Sequence, residues 1–162
     1  MLELRPSAYD HPDASHLVAA VQREYVNRYG GEDATPVNPA TFAPPHGFFT
    51  VGYVQGEPVA CGGWRARDAE PGQPLREGDA EIKRMFVQVG HRGRGHARAV
   101  LGELERTAAA AGRRRLVLET GTRQPEAIAL YTSAGYLPIA RFGVYREAPG
   151  CRCFAKILQR YG

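Results

Sequence analysis

Arg92-Gly93-Arg94-Gly95-His96-Ala97 gathers three basic side chains and two glycines into six consecutive residues. An apolar-rich segment carrying Ile82, Met85, Phe86 and Val87 runs into this turn, and a helical pattern leaves it. Strand, basic glycine turn and helix is the arrangement that aims backbone N–H groups at an anion on a helix N-terminus. Gly93 and Gly95 remove side chains that would hold a ligand off the backbone. The turn therefore implies a phosphate-bearing partner. The formal net charge is only +4, with much of it in Arg92/Arg94 and Arg113-Arg114-Arg115. That suits a polyphosphate ligand better than a nucleic-acid track, which wants a wider basic face with interleaved aromatics. No Phe, Tyr or Trp falls between Phe86 and Arg115.

A second set of reactive side chains is Cys61, Cys151 and Cys153. Three cysteines are too few, and odd in number, for a disulfide framework. Cys151 and Cys153 fall on one face of a strand. With no His at ligand spacing, they read as buried thiols and no metal is expected.

These residues must be positioned by a single domain, 1–162. The chain is 43% hydrophobic and 23% charged, a globular balance with no run near the roughly 20 apolar residues of a membrane span. The N-terminus lacks the apolar core of a secretory signal, so a cytoplasmic location is expected. Residues 2–6 read as a strand. Ala14, Leu17, Val18, Val21 and Tyr25 recur at helical spacing, and Gly30-Gly31 ends that helix. A proline-rich loop fills 32–47. Phe48 to Val54 and Val59 to Ala66 form a hairpin around Gln55-Gly56-Glu57-Pro58, with Gly62-Gly63 as a bulge or close backbone approach. A central strand at about 80–88 leads to the glycine turn, then to a helix burying Val100, Leu101, Leu104 and Ala108. Arg115 to Glu119 reads as a central strand, a helix opens at Gln124-Pro125-Glu126, and 136–142 and 151–158 form a last strand pair. The order implies an α+β fold.

Three stretches carry a resemblance to a known family. Arg92-x-x-Gly95-x-Ala97 is similar to the coenzyme A signature of the GNAT superfamily of acyl-CoA-dependent N-acyltransferases. Glu81-Ile82-Lys83-Arg84-Met85-Phe86-Val87 resembles its fourth strand. Ala127-Ile128-Ala129-Leu130-Tyr131, closing at Gly135-Tyr136, resembles its last core helix and the turn that follows. The resemblance covers essentially the whole chain. It implies a mixed, mostly antiparallel sheet of six to seven strands, helices on both faces, and a parting of the central strands.

It also implies acetyl transfer from acetyl-CoA to a primary amine of a small molecule or peptide, by direct attack in a ternary complex. The amides of Arg92, Gly93, Arg94, Gly95, His96 and Ala97 would hold the pyrophosphate. Met85, Phe86 and Val87 would pair with the pantetheine arm, and one of their N–H groups would polarise the thioester carbonyl. Gln124 stands where relatives carry an asparagine that contacts that arm. Tyr131 matches the family's general acid, against the plainer reading of a core tyrosine. A free alkyl amine arrives protonated and needs a base. Glu81 lies at the offset of the glutamate used by the histone-acetylating branch and is ranked ahead of Glu119, against the plainer reading of a solvated strand-start residue. Phe49, Trp64, Arg65 and Tyr145 are expected to line the acceptor site. Homodimers are frequent among relatives. A non-catalytic acyl-CoA-binding protein of the same fold and, less so, a nucleic-acid-binding module are the competing readings.

Overall fold

The computed structural model describes residues 1–159; the last three residues of the expected 1–162 domain lie outside the described residues. The strands are β1 (Glu3–Pro6), β2 (Gly47–Val54), β3 (Glu57–Ala66), β4 (Asp79–Val87), β5 (Arg115–Gly121), β6 (Leu137–Ile139) and β7 (Cys151–Ile157). The helices are α1 (Pro12–Tyr29), α2 (His96–Ala110) and α3 (Pro125–Ser133). One seven-stranded sheet runs in the order β1-β2-β3-β4-β5-β7-β6, antiparallel except at β4–β5. This is the α+β architecture the sequence implies.

Each helix is placed by its apolar stripe. α1 starts with Pro12 in its first turn, where a missing N–H costs nothing, and His11 Nδ1 accepts from Asp13 N–H at 3.1 Å. Its Ala14, Leu17 and Val21 pack with Phe49, Val51, Cys61 and Phe86 on one face of the sheet. α2 lays Val100, Leu101, Leu104 and Ala108 against Ala60, Trp64, Ile82 and Leu116 on the other, where α3 adds Tyr131. Full burial of such side chains stabilises by roughly 1.5–3 kcal/mol each, which makes these two layers the main source of stability.

Two irregularities shape the centre. Asp79, Ala80 and Glu81 pair with Arg115, Leu116 and Val117, and the β4–β5 ladder stops there although both strands continue. Beyond Glu81 and Val117 the sheet is parted. The β3–β4 register also shifts between Cys61 and Gly63, and Arg84 opposite this shift has φ +60°, the left-handed region. Close approach at Gly62 is real: a Cβ there would meet Met85 Cγ and Val100 Cγ1 at 2.9 Å.

The strand expected over 136–142 is shorter than its pattern. Only Leu137–Ile139 pairs, on the edge, because Pro138 interrupts the donors and the chain then turns toward Gly143 at φ +86°.

Candidate active site

The parting of β4 from β5 opens a pocket of about 520 Å³. β4 contributes Lys83, Arg84 and Met85; β5 contributes Leu118 and Glu119; Tyr25 and Tyr29 of α1 and Tyr131 of α3 close its sides. The loop after α1 and the loop before β7 meet across it, where Ala34 N–H donates to the Tyr145 hydroxyl at 2.7 Å.

Glu119 is the carboxyl on the β5 wall of this pocket, with Glu32 and Asp33 lining it from the loop after α1. Its carboxyl is pushed up to about 7, chiefly by burial. The neighbouring charges of Glu81 and Asp33 work in the same direction, while Lys83 and the Cys151 thiol, donating at 3.8 Å, oppose it. A carboxyl that titrates near neutrality can take up and release a proton under working conditions.

Glu81, ranked ahead of Glu119 from the sequence, is placed differently. Its side chain is 2% exposed and does not line the pocket. Arg67 Nη1 donates to Oε1 at 2.7 Å, Arg65 Nε donates to the same oxygen at 3.1 Å, and Lys83 Nζ lies 4.0 Å from Oε2. Its Oε1 is thus shared by two guanidinium groups within the paired part of the sheet. The carboxylate is not solvated; it anchors an ion network behind the site.

The glycine turn builds the second half. A pocket of about 390 Å³ is lined by Met85, Phe86 and Val87 of β4, by Arg92, Gly93, Gly95, His96 and Ala97, and by Gln124 and Tyr131. Gly93 and Gly95 have φ +78° and +82°, and Gly95 is the N-cap of α2 with no side-chain cap, so the first amides of the helix are left for an anion. His96 Nε2 and His91 Nδ1 are buried without a hydrogen-bond partner among the described residues. The edge of β4 beyond Glu81 has lost its β5 partner. Uncapped amides, orphaned ring nitrogens and a free strand edge are the features a pyrophosphate with an extended amide arm would fit.

Not every side chain of the turn is available to this cradle. Arg92 Nε donates to Val87 O at 2.9 Å and its Nη2 to Glu24 at 2.8 Å, so the guanidinium is already engaged. The Arg94 side chain is exposed and outside the lining, whereas Arg98, which the sequence did not single out, belongs to it. Gln124 reaches both pockets, and its Nε2 donates to the Tyr29 hydroxyl at 3.0 Å.

Tyr131 also lines both pockets. Its side chain packs edge-on to Tyr136, and its hydroxyl donates weakly to Met85 Sδ at 3.6 Å. Burial pushes the phenol above its usual range, so it holds its proton throughout the neutral region.

Of the four expected acceptor-lining residues only Tyr145 is in the pocket. Phe49 is 1% exposed and packs among Tyr9, Phe42 and α1. Trp64 is 1% exposed, under α2, donating to Thr107 Oγ1 at 3.0 Å. Arg65 is spent on Glu81 and on the Pro36 carbonyl. These three are corrected to core and scaffold, because helices cover both faces of β2 and β3.

Sequence reasoning missed Asp33, Lys83 and Arg84. Strand alternation places consecutive residues on opposite faces, yet the register shift at Arg84 brings Lys83 and Arg84 to the same one. Asp33 arrives from a proline-rich loop through tertiary folding alone. No local signal could have found the trio.

Cys61, Cys151 and Cys153 are all free and buried, as expected. Glu119 stands opposite Cys153 in the β5–β7 ladder, and one donor atom from each of Glu119, Cys151 and Cys153 lies within 4.8 Å of the others. The absence of a nearby His therefore did not describe the whole neighbourhood, since a carboxylate comes to the thiols from the next strand. Burial holds the Cys153 thiol up, to about 12.

A parted mixed sheet, an uncapped helix N-terminus behind a glycine turn and a titratable carboxyl in the gap define a class: α+β proteins with one open strand edge beside a helix start. Residues 14–136 match the Acetyltransferase (GNAT) family. The chain is 36% identical over 133 residues, 82% of each protein, to a protein of Azospirillum brasilense named IAA acetyltransferase. Its fold is similar to that of a Klebsiella pneumoniae protein assigned as an acyl-CoA N-acyltransferase, with a TM-score of 0.78 and 28% identity over 98% of this chain and 99% of the other. A GNAT acetyltransferase from Elizabethkingia anophelis with acetyl-CoA bound shares the fold at a TM-score of 0.67 and 16% identity, over 97% and 98% of the two chains. The chain belongs to the GNAT acetyltransferase family.

Proposed function

We propose that this protein transfers the acetyl group of acetyl-CoA to a primary amine of a small molecule or peptide, with Glu119 as general base and Tyr131 as general acid. One observation carries the reading: Tyr131 lines both the cradle at the glycine turn and the pocket that holds Glu119. A proton donor and a proton acceptor thus flank one junction between two ligand spaces.

Acetyl-CoA supplies an activated thioester. The amides at the start of α2 and the open edge at Met85, Phe86 and Val87 are the groups suited to hold it. Glu119 accepts the proton that an incoming ammonium must lose before its nitrogen can attack. The Tyr131 hydroxyl keeps a proton where a departing sulfur needs one. Glu81, through Arg65, Arg67 and Lys83, positions the charges around Glu119 rather than acting on substrate. The clasp between Ala34 and Tyr145 over the pocket favours a small acceptor over a folded protein surface. The name of the Azospirillum relative supports acetyl as the transferred group.

The test is thiol release from acetyl-CoA over a panel of amines, polyamines, amino acids, aminoglycosides and peptides. Turnover above hydrolysis with at least one acceptor is expected. Acetyl-CoA binding with no acceptor-dependent turnover would establish instead the non-catalytic binding protein of the same fold.

A further inference from the structure

Lys83 and Arg84 are consecutive residues of a central strand, yet both point their charges at one carboxylate oxygen. Asp33 Oδ2 accepts from Lys83 Nζ at 3.1 Å and from Arg84 Nη1 at 2.6 Å. The two cationic side chains are 7% and 3% exposed, and Asp33 is 13% exposed. Burying charge is expensive unless it is balanced, and here two cations hydrogen-bond to one carboxylate, with the charge of Lys83 also felt by Glu119 across the gap. The nearest further carboxylate to Lys83, Glu81, is 4.0 Å away and already serves Arg65 and Arg67.

This arrangement depends on a costly backbone. A non-glycine residue at φ +60° is strained, and such strain concentrates where a site requires it. Regular alternation would send Arg84 to the α2 side of the sheet. The irregularity instead puts its guanidinium beside Lys83 on the wall of the pocket. Nε and Nη1 of Arg84 are taken by the Tyr9 hydroxyl and Asp33, and Nη2 has no partner among the described residues. Across the parted sheet, on β5, stands Glu119.

We infer that Arg84 and Lys83 form a carboxylate-binding subsite, and that the acceptor is an amine carrying a carboxylate, of the amino-acid class. The inference rests on the acetyltransferase reading above and narrows its acceptor. The substrate spans the gap in the sheet. Its carboxylate lies against Arg84 and Lys83 on β4, and its ammonium lies against Glu119 on β5. The other charged groups lining the pocket, Glu32 and Arg123, are exposed at its rim and leave the buried balance unchanged.

The experiment compares matched pairs: amino acids and their carboxamides as acceptors, and N-acetyl amino acids and their carboxamides as ligands of the coenzyme A-loaded protein in calorimetry. In the wild type the acid of each accepted pair is expected to exceed its amide by ten- to a hundredfold in kcat/KM and in affinity, the scale of one charge-assisted contact. Arg84→Gln leaves Lys83 paired with Asp33 and should cut that ratio below threefold, chiefly through KM. Asp33→Asn frees both cations and should raise the ratio, a change that a purely structural role would not produce. Equal use of acid and amide by the wild type overturns the inference, as does an acid preference that survives Arg84→Gln. Turnover of amines without carboxylates alone would keep the acetyltransferase reading and sink this one. If nothing is turned over, the acetyltransferase reading fails, and the calorimetric ratio alone decides the anion subsite.

Discussion

Glu81 opposite Val117 is the last rung that joins β4 to β5. The position of this rung decides the fates of two glutamates. Glu81 sits within the paired part of the sheet, sealed among Arg65, Arg67 and Lys83, while Glu119 lies two residues past Val117, in the opening.

Glu119→Gln should therefore lower kcat by about a hundredfold or more, the usual contribution of a positioned base. The wild-type rate should rise with pH through about 7, where Glu119 gives up its proton, and the variant should lose that limb. The same shift is a stability statement. A carboxyl raised from 4.5 to about 7 by folding contributes stability that is complete below pH 4.5 and lost as the pH rises through 7. Urea titrations between pH 4 and 8 should show wild-type stability falling over this window more than that of Glu119→Gln.

Glu81→Gln should show the opposite division of effects. Removing this buried carboxylate leaves Arg65 and Arg67 without their shared partner, a defect of about 3 kcal/mol or more. Thermal unfolding should shift down by several degrees, while the folded enzyme keeps the rise in rate, moved to lower pH because the Glu81 charge no longer pushes the Glu119 carboxyl up. Loss of that rise with an intact fold would return Glu81 to the role of base.

Local pattern and tertiary arrangement explain which parts were legible beforehand. The shape of the turn from Arg92 to Ala97 could be read because glycines at positive φ leading into an uncapped helix are set by consecutive residues. The strand and helix order followed from apolar spacing. Phe49 and Trp64 were misplaced because aromatic residues on a strand covered on both faces carry no mark of which face, or whether either, meets a ligand. Lys83 and Arg84 were hidden by a left-handed residue that is not glycine, and Asp33 by a loop whose landing point is set only by folding.

Tyr131→Phe removes one oxygen from a side chain whose packing against Tyr136 remains. Among the described residues its hydroxyl has only the weak contact to Met85 Sδ, so the melting temperature should hardly move. A fall in kcat of about a hundredfold with little change in acetyl-CoA affinity is expected if the hydroxyl supplies the proton. Because burial raises this phenol, the wild-type rate should show no decline from its ionisation up to about pH 10, the ordinary range of tyrosine. Full activity of the variant in a chemistry-limited assay would remove Tyr131 from the mechanism.

The glycine turn can be tested with an internal control. Gly95 begins α2 at φ +82°, and Gly112 follows its other end at the same φ +82°; a Cβ at either would meet nothing within 4 Å. Substitution by alanine should therefore carry the same backbone penalty at both, about 1–2 kcal/mol, since the strain is conformational and not steric. Only at Gly95 does relief of that strain reorient the amides that face the cradle. Gly95→Ala should weaken acetyl-CoA about tenfold or more in calorimetry, while Gly112→Ala should leave the affinity within twofold at a similar loss of stability. The ratio of the two affinities isolates anion binding from general loosening of α2. Equal affinities in the two variants would mean that the turn shapes the chain without holding the coenzyme.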